Sequence, residues 1–313
     1  MKLFKKRFRR KGAKRPERVF LIVNPVSGKL KAKNSFFDII KTICQSTLRA
    51  PSVALTEYRG HAAELAEQAV KEGYDRIICC GGDGTLNETI NGVMKAKGTQ
   101  KIGYIPAGST NDFANGIGIS PDIEEATLNS VCGQDFTLDV GIFGEECHFC
   151  YIASFGIFTA SSYSAPQQAK NLLGHFAYVL EGLKDLTAIK TTHVVCEADG
   201  ERIEGDYIFG AIANTLRIGG IVKLDKDTVK LNDGLFELLL VKKPNTIHDL
   251  NILAASVANS DFDQDMVVFK KVESVKISLP VETVWSIDGE MKKTPESGEI
   301  DIRIAKRSLT ITI

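Results

Sequence analysis

The chain alternates apolar runs with amphipathic segments between residues 19 and 105, a pattern that predicts strands and helices in turn. Four runs predict strands: Val19–Val23, Ser52–Glu57, Arg76–Cys80 and Lys101–Ile105. Apolar residues spaced three or four apart predict the helices between them, at Phe36, Ile40, Ile43, Ala62, Leu65, Ala66, Ala69, Leu86, Ile90, Val93 and Met94. This alternation favours a parallel sheet with right-handed crossovers.

Beyond about residue 136 the pattern changes to short β-rich runs. The predicted strands there are Thr137–Phe143, His193–Glu197, Tyr207–Asn214, Leu235–Val241, Ser274–Leu279 and Val281–Ile287, with helices near Lys170–Leu186 and Ile247–Ala258. We therefore predict an α/β plus β protein, with an α/β domain at residues 19–135 and a β-sandwich domain at residues 136–304. Residues 305–313 contain a last strand, Ser308–Ile313, that is able to return to the first domain.

Composition limits the class of protein. With 43% hydrophobic and 25% charged residues among 313, the chain is typical of a globular protein. No apolar run approaches the roughly 18 residues that predict a membrane-spanning helix. Seven cysteines, an odd number without framework spacing, favour a reducing cytosol. Cys147 and Cys150 have no second cysteine pair nearby that would complete a zinc site.

The net charge of zero hides a basic tail at residues 1–18. This tail has ten basic residues and one acid, Glu17, so it carries +9 and the remaining residues carry −9. Leu3, Phe4 and Phe8 lie among the charges, which suits contact with an anionic membrane surface. The alternative is a disordered solubilising tail. A signal peptide is not predicted because no apolar region follows the charges, and nothing further along the chain supports nucleic-acid binding.

The strongest local motif is Gly81–Glu88, GGDGTLNE, between a predicted strand and a predicted helix. Glycines let the backbone approach a ligand, and a helix N-terminus presents free N–H groups to phosphate. Asp83 would repel phosphate unless a magnesium ion or its water lies between them. The alternative is a tight turn with an acidic cap. Three glycines around Asp83 favour the phosphate site.

Two more loops follow predicted strands: Asn24–Gly28 after the first and Gly108–Phe113 after the fourth. The carboxyl ends of parallel strands meet at one edge of a sheet, where ligands bind. One nucleotide site explains all three loops. The patterns GxxxxGK[ST] and GxGxxG are absent, which excludes a P-loop enzyme and a typical dinucleotide dehydrogenase.

The second half holds three further candidates. Asp288 and Glu290, two residues apart, could face one side as a base and its neighbour or as a metal ligand. The alternative is a hairpin turn, since Asp-Gly is a common turn pair. Asp139 lies in an apolar run, where a charge needs a partner. Lys230–Leu235 is turn-like by itself.

Together these motifs resemble the diacylglycerol kinase catalytic family of bacterial lipid kinases, which is related to sphingosine and ceramide kinases. Asn24–Gly28 is similar to the family's first nucleotide loop, and Gly81–Glu88 to its signature. Pro106–Phe113 resembles its PxGTxNDF segment, with Ser109 in place of the usual threonine, and Ile287–Glu290 resembles its catalytic element. The resemblance runs from Val19 to the C-terminus. It implies a nucleotide-binding domain like that of NAD kinases and diacylglycerol kinases, joined to a β-sandwich.

The resemblance also assigns residues. It implies that ATP contacts Asn24, Pro25, Val26, Ser27, Gly28, Thr56, Gly82, Asp83, Gly84, Thr85, Leu86, Asn87, Glu88 and Ser109. Asp83, Asp112 and Asp139 resemble the carboxylates that organise catalytic Mg²⁺ and its waters. Asp288 would take the proton from the acceptor hydroxyl with Glu290 beside it, and which of the two is the base is left open. Lys230, Asp233 and Leu235 align with a structural Mg²⁺ site, Lys230 and Leu235 through their carbonyls.

The implied activity is transfer of the γ-phosphoryl group of ATP to a lipid hydroxyl, with diacylglycerol as the favoured acceptor. The alternatives are another lipid alcohol, a soluble acceptor as in NAD kinases, or a regulator without catalysis. Arg217–Val222 keeps two glycines of the family's run but lacks its proline, which leaves the acceptor's identity open. The expected location is cytoplasmic, at the inner face of the membrane. A homodimer is left open.

Overall fold

A computed structural model describes residues 17–145, 147–157, 189–215, 217–218, 222–223, 229–259, 262 and 265–313. The predicted helix near Lys170–Leu186, nearly all of the basic tail and part of Arg217–Val222 lie outside the described residues. In the described part of the chain, no helix combines the length and the apolar character needed to cross a membrane.

Strands alternate with helices in the first half of the chain, and strands predominate in the second. The helices are α1 (Lys31–Asn34), α2 (Phe36–Thr47), α3 (His61–Lys71), α4 (Asp83–Lys95), α5 (Asp112–Ile117), α6 (Ile123–Cys132) and α7 (Ile247–Asn259), preceded by a 3-10 turn at Ser27–Leu30. The strands are β1 (Val19–Val23), β2 (Ser52–Leu55), β3 (Arg76–Gly81), β4 (Lys101–Pro106), β5 (Asp135–Phe143), β6 (Cys147–Phe149), β7 (Ile152–Gly156), β8 (Thr192–Ala198), β9 (Glu201–Ala213), β10 (Arg217–Ile218), β11 (Val222–Lys223), β12 (Phe236–Lys242), β13 (Val267–Val272), β14 (Ser274–Ser278), β15 (Val284–Ile287), β16 (Glu290–Lys293) and β17 (Glu299–Thr312).

The first four strands form the predicted parallel sheet in the order β4-β3-β1-β2. Every residue of β1 and β3 is buried, as expected where helices cover both faces. Helices α3 and α4 pack closely because α4 has a glycine at the contact: a Cβ on Gly92 would lie 2.2 Å from the Ala63 carbonyl oxygen. This packing fixes α4, which carries the signature motif, beneath the sheet edge.

The second half is antiparallel and sandwich-like, as predicted. Strands β5–β9 and β12–β17 pair around a separate apolar core. Trp285 is fully buried at its centre, edge-on to the rings of Phe143 and Phe155, with ring centroids 5.0 and 4.8 Å away. The indole Nε1 donates to Thr294 Oγ1 at 3.1 Å, which satisfies this buried donor. This core supports the β15–β16 hairpin.

One long strand, β17, joins the two halves. Its first residues pair antiparallel with β14, and it pairs antiparallel with β5 along most of its length. Thr310–Thr312 then lie parallel to Lys101–Gly103 of β4, at the edge of the first sheet. The register shifts between Ala305 and Leu309, where Arg307 has a φ of 47°. The chain thus ends within the N-terminal sheet.

Candidate functional site

A cavity of about 520 Å³ opens at the carboxyl ends of the parallel strands and is bordered on its far side by β16 of the second half. It is lined by Asn24, Val26, Ser27, Gly28, Thr56, Glu57, Tyr58, Arg59, Gly82, Gly84, Thr85, Glu88, Gly108, Ser109 and Glu290. All three loops singled out in the sequence therefore meet at this cavity, as the topology of a parallel sheet requires.

Glycines let these three loops meet backbone to backbone. A Cβ on Gly28, where φ is +52°, would lie 2.0 Å from the Ala107 carbonyl oxygen. A Cβ on Gly108 would lie 2.6 Å from Gly82 Cα. Only glycine fits such contacts. The result is a glycine cradle (Gly28, Gly82 and Gly108) directly before α4, whose first-turn N–H groups lack partners within the helix, so the cradle suits a phosphate anion.

Side chains tie the first loop to α4. Asn24 Nδ2 donates to Thr85 Oγ1 at 3.0 Å, and Asn24 Oδ1 accepts from the Val26 amide at 3.1 Å. The loop after β1 is thereby held against the signature motif. Its neighbour Pro25, predicted as a nucleotide contact, lies in this turn but does not line the cavity.

Glu88 fixes the loop after β2. Its carboxylate accepts from the Gly60 amide at 2.8 Å and from the Ala62 amide at 3.2 Å, at the start of α3. This loop brings Glu57, Tyr58 and Arg59 to the cavity, which the sequence reasoning missed. The signal was present, because all three directly follow Thr56 at the end of a parallel strand.

Two other residues predicted at the nucleotide point away from it. Leu86 is buried in the core between α4 and the sheet. Asn87 Nδ2 donates to Asp288 Oδ2 at 2.9 Å and to the His148 carbonyl at 3.1 Å, so this residue of the signature contacts the second half. Both differ from the sequence prediction because a helix directs successive side chains to different faces.

Asp83, predicted as a nucleotide contact, does not line the cavity, although Gly82 and Gly84 on either side of it do; its carboxylate caps α5. Its two oxygens accept from the amides of Asp112 and Phe113, at 2.9 and 3.2 Å. Burial raises its pKa, and the backbone donors oppose that rise. Asp83 and Asp112 therefore stand at the starts of neighbouring helices, α4 and α5, beside the glycine cradle.

Asp139 is placed differently from its prediction. It is fully buried, and its oxygens accept from the amides of Gly234 and Arg307, both at 2.6 Å. Its own amide donates to the Leu231 carbonyl at 2.9 Å. These bonds satisfy the charge expected to need a partner. They place Asp139 at the Lys230–Leu235 turn and not with Asp83 at the cavity.

The Lys230–Leu235 turn has an unusual neighbour in Glu237. That side chain is only 1% exposed, and its Oε2 has no hydrogen-bond partner. Burial raises the pKa of Glu237 to about 8, with the charge of Asp233 adding to the rise and Lys271 opposing it. Among the described residues, no three acidic, histidine or cysteine side chains gather as a metal cluster. A cation at this turn would nevertheless satisfy the orphaned oxygen.

Asp288 and Gly289 form the two-residue turn of the β15–β16 hairpin, which is the arrangement that the alternative interpretation of Asp-Gly described. Both residues have positive φ, 48° and 89°, as a type I′ turn requires. Asp288 is the first of the two carboxylates in this element, and its backbone amide donates to the Ile152 carbonyl at 2.8 Å. The turn is thus anchored to β7.

The Asp288 carboxylate is buried and saturated. Oδ1 accepts from the amides of Tyr151 and Ile152, and Oδ2 from Cys150 N and Asn87 Nδ2, all within 2.8–3.0 Å. Burial raises its pKa to about 6, and these donors pull in the opposite direction. A buried carboxylate that already accepts two hydrogen bonds at each oxygen is not presented to a substrate hydroxyl. Asp288 also does not line the cavity.

Glu290 does face the cavity. Its side chain is 30% exposed, and its Oε2 forms an ion pair with Arg59. Its Oε1 lies 3.1 Å from the position that a Cβ on Gly84 would take, against the first turn of α4. Of the two carboxylates in the element, Glu290 is therefore the one within reach of a bound phosphate.

Comparisons with known proteins agree across both halves of the chain. Residues 18–142 match the family described as diacylglycerol kinase catalytic domain, and residues 153–306 match the YegS C-terminal NAD kinase beta sandwich-like domain. A Bacillus subtilis diacylglycerol kinase is 31% identical over 275 residues, 88% of this chain and 90% of that relative. A Staphylococcus aureus diacylglycerol kinase is 32% identical over 274 residues, 88% of this chain and 86% of the relative. A crystal structure of a Bacillus anthracis diacylglycerol kinase superposes with a TM-score of 0.72 over 95% of this chain and 96% of that one, and at 21% identity this likeness shows the fold.

Proposed function

This chain belongs to the diacylglycerol kinase family, and on that premise we propose that it transfers the γ-phosphoryl group of ATP to diacylglycerol, giving phosphatidic acid. The observation that carries the proposal is one cavity that combines the glycine cradle with the Glu290 carboxylate. Phosphoryl transfer needs positioning and charge neutralisation more than a covalent intermediate, and this cavity offers both. We propose diacylglycerol as the acceptor because the relatives are named diacylglycerol kinases.

The triphosphate fits the cradle before α4, with the hydroxyls of Ser27, Thr56 and Ser109 at its border. Backbone N–H groups at the helix start would bind phosphate oxygens, and the helix dipole favours their negative charge. Asn24 and Glu88 hold the loops in place through hydrogen bonds with Thr85, Gly60 and Ala62. The loops of the site are therefore in place before ATP arrives.

Magnesium fits this site through its oxygen donors. The Asp83 carboxylate accepts from the amides of Asp112 and Phe113, so the two acidic residues stand together where they can hold waters of the ion. When bound, Mg²⁺ neutralises charge on the phosphates. A second, structural Mg²⁺ would take the carbonyls of Lys230 and Leu235 and the Asp233 carboxylate. The orphaned oxygen of Glu237 supports that second site.

Glu290 acts as the general base in this proposal. As the lipid hydroxyl oxygen bonds to the γ-phosphorus, its proton passes to the Glu290 carboxylate and the bond to ADP breaks. Asp288 holds the turn that aims Glu290, because its own oxygens are saturated by backbone and Asn87 donors. These contacts favour Glu290 over Asp288 as the group that takes the proton.

The proposed association with the membrane depends on the positive charge of the basic tail. The basic tail, residues 1–18, carries +9 and would draw the enzyme to the anionic inner face of the membrane, where diacylglycerol is found. In this division residues 19–135, with residues 305–313, bind the nucleotide, and residues 136–304 bind the lipid.

An acceptor panel tests the function. The purified chain, labelled ATP and Mg²⁺ are mixed with vesicles that contain diacylglycerol, sphingosine or ceramide, or with NAD, and the labelled product is identified. We expect label in phosphatidic acid. Label in another lipid would replace the acceptor, and label only in NAD would overturn the lipid kinase assignment.

A further inference from the structure

Arg59 and Glu290 face each other across the cavity, one from the loop after β2 and the other from β16. We propose that Arg59 binds the terminal phosphate of ATP, and that the Glu290 carboxylate occupies this anion position until ATP displaces it. The inference rests on the proposed function, because it deepens the roles of the ATP site and of the base. It assigns Arg59 a positioning role in the reaction.

The Glu290 carboxylate lies where an anion belongs. Its Oε1 rests against Gly84 in the first turn of α4, a helix of 13 residues whose positive end favours negative charge. Its Oε2 is paired with the guanidinium of Arg59. A carboxylate between a helix N-terminus and an arginine has the surroundings that proteins provide for a phosphate.

The position of Arg59 is built into the fold. The residue after it, Gly60, donates its amide to Glu88 of α4 at 2.8 Å, and Ala62 donates to the same carboxylate at 3.2 Å. His61 Nδ1 accepts from the Glu57 amide at 3.1 Å, which closes the loop from the other side. The backbone that carries Arg59 is therefore fixed at the cavity edge, and only its side chain needs to move.

The exchange of partners is favourable. The Arg59 side chain is 72% exposed, and an ion pair at that exposure contributes little to stability. A terminal phosphate carries more charge than a carboxylate and matches the planar guanidinium with two oxygens. When the terminal phosphate of ATP binds the Arg59 guanidinium, the ion pair between Arg59 and Glu290 breaks. Glu290 then has no counter-ion while the phosphoryl donor is bound. The base is thereby released only in the loaded enzyme.

Calorimetric titration of Arg59→Gln with Mg-ATP and Mg-ADP tests the inference. Because hydrogen bonds to charged groups are strong, we expect the Kd for ATP to rise by about tenfold or more, while the Kd for ADP changes less than about twofold. Arg59→Lys, which keeps the charge and loses the planar fork, should fall between the wild type and Arg59→Gln. Arg202→Gln is the matched control, since Arg202 is 71% exposed and pairs with Glu204 away from the cavity.

Two outcomes would overturn the inference. If Arg59→Gln binds ATP and ADP as the wild type does and only turnover falls, Arg59 merely supports Glu290. If affinity for both nucleotides falls equally and the melting temperature falls with it, Arg59 is a structural residue of the loop. Both nucleotides are titrated without lipid, so a wild-type enzyme that binds ATP but fails to phosphorylate diacylglycerol refutes the proposed acceptor and leaves this test intact.

Discussion

Asn87 of α4 donates a hydrogen bond of 2.9 Å to Asp288, which lies 201 residues later in the chain. This bond joins the signature motif of the first half to the hairpin that carries Glu290. A direct contact between the two halves thereby helps to set the distance between the phosphate cradle and the base. Substitutions of Asp288 and Glu290, two residues apart in this hairpin, should therefore have separable effects, the first on folding and the second on chemistry.

Asp288→Asn should destabilise the protein. The new amide can accept from some of the four donors now bound by the carboxylate, but its NH₂ group faces the others and leaves them unpaired. An unsatisfied buried donor costs about 1–3 kcal/mol. We expect the free energy of unfolding in urea to fall by about that amount, and activity to fall with it. A variant as stable as the wild type and yet inactive would show that the Asp288 carboxylate takes part in the chemistry.

The stability difference between the wild type and Asp288→Asn should depend on pH. Burial raises the pKa of Asp288 from 3.8 to about 6, so between these values the folded protein holds this proton more tightly than the unfolded chain. The stabilisation from this group is full below pH 3.8 and is lost as pH rises through about 6. The stability difference, wild type minus Asp288→Asn, should therefore decline across this window by up to about 1.4 kcal/mol per pH unit.

Urea unfolding at several pH values measures this difference, because all other titrating groups are shared by the two proteins. A difference that is constant, or that grows with pH, would contradict the raised pKa of Asp288.

Glu290→Gln, in contrast to Asp288→Asn, should reduce turnover and leave stability almost unchanged. Its side chain is partly exposed and its only described ion pair is with Arg59, so the melting temperature should change little. Turnover should fall by at least about a hundredfold, because a general base contributes that much. Glu282→Gln is a matched control, since Glu282 is an exposed acid of the same domain that pairs with Lys293. Wild-type turnover in Glu290→Gln would move the base elsewhere.

Gly28→Ala tests the glycine cradle. The new methyl group would collide with the Ala107 carbonyl oxygen, so the first loop must move away from Gly108. Gly144→Ala is the control: Gly144 also has positive φ, but a Cβ there meets no atom within 4 Å. Both variants carry the strain of a left-handed alanine, of order 1 kcal/mol. Only Gly28→Ala should weaken ATP binding in calorimetry, and equal weakening in both would argue against the cradle.

Deletion of residues 1–16 tests the basic tail and spares the described contacts of residues 17 and 18. The cut spares Arg18, whose guanidinium donates to the Glu72 carbonyl at 2.8 Å, and Glu17, which pairs with Arg76 at 2.9 Å. Binding to anionic vesicles should weaken, and the salt sensitivity of binding should fall, because exposed charges are screened by salt. Each basic residue near the surface contributes about 1 kcal/mol. Equal vesicle binding by both proteins would identify the tail as a solubilising segment.

Local patterns predict the first half of the fold well. Apolar runs locate β1–β4, and helical spacing locates α2, α3 and α4 within a few residues. The short helix α5 escapes prediction because its first amides are capped by Asp83, 29 and 30 residues earlier in the chain. Strand β17 is predicted as a shorter run for a similar reason: its bulge at Arg307 is held by the distant Asp139.

The same limit applies to the site. The three glycine-containing loops are recognisable because each motif is local and parallel strands must end together. The roles of Asp139 and Asp288 depend on donors 95 to 201 residues away, which no local spacing records. Arg59 follows a predicted strand, but its proposed role depends on its ion pair with Glu290, 231 residues further on, which no local pattern indicates.

A single turnover of enzyme preloaded with labelled ATP and Mg²⁺, mixed rapidly with vesicles that contain diacylglycerol, measures most directly whether Glu290 serves as the base in phosphoryl transfer to this lipid. We expect the wild type to pass its label to phosphatidic acid, and Glu290→Gln to bind the same ATP but to transfer the labelled phosphoryl group at least about a hundredfold more slowly. Equal transfer rates for the two proteins, or no transfer to diacylglycerol by a wild type that has bound ATP, would contradict this role of Glu290.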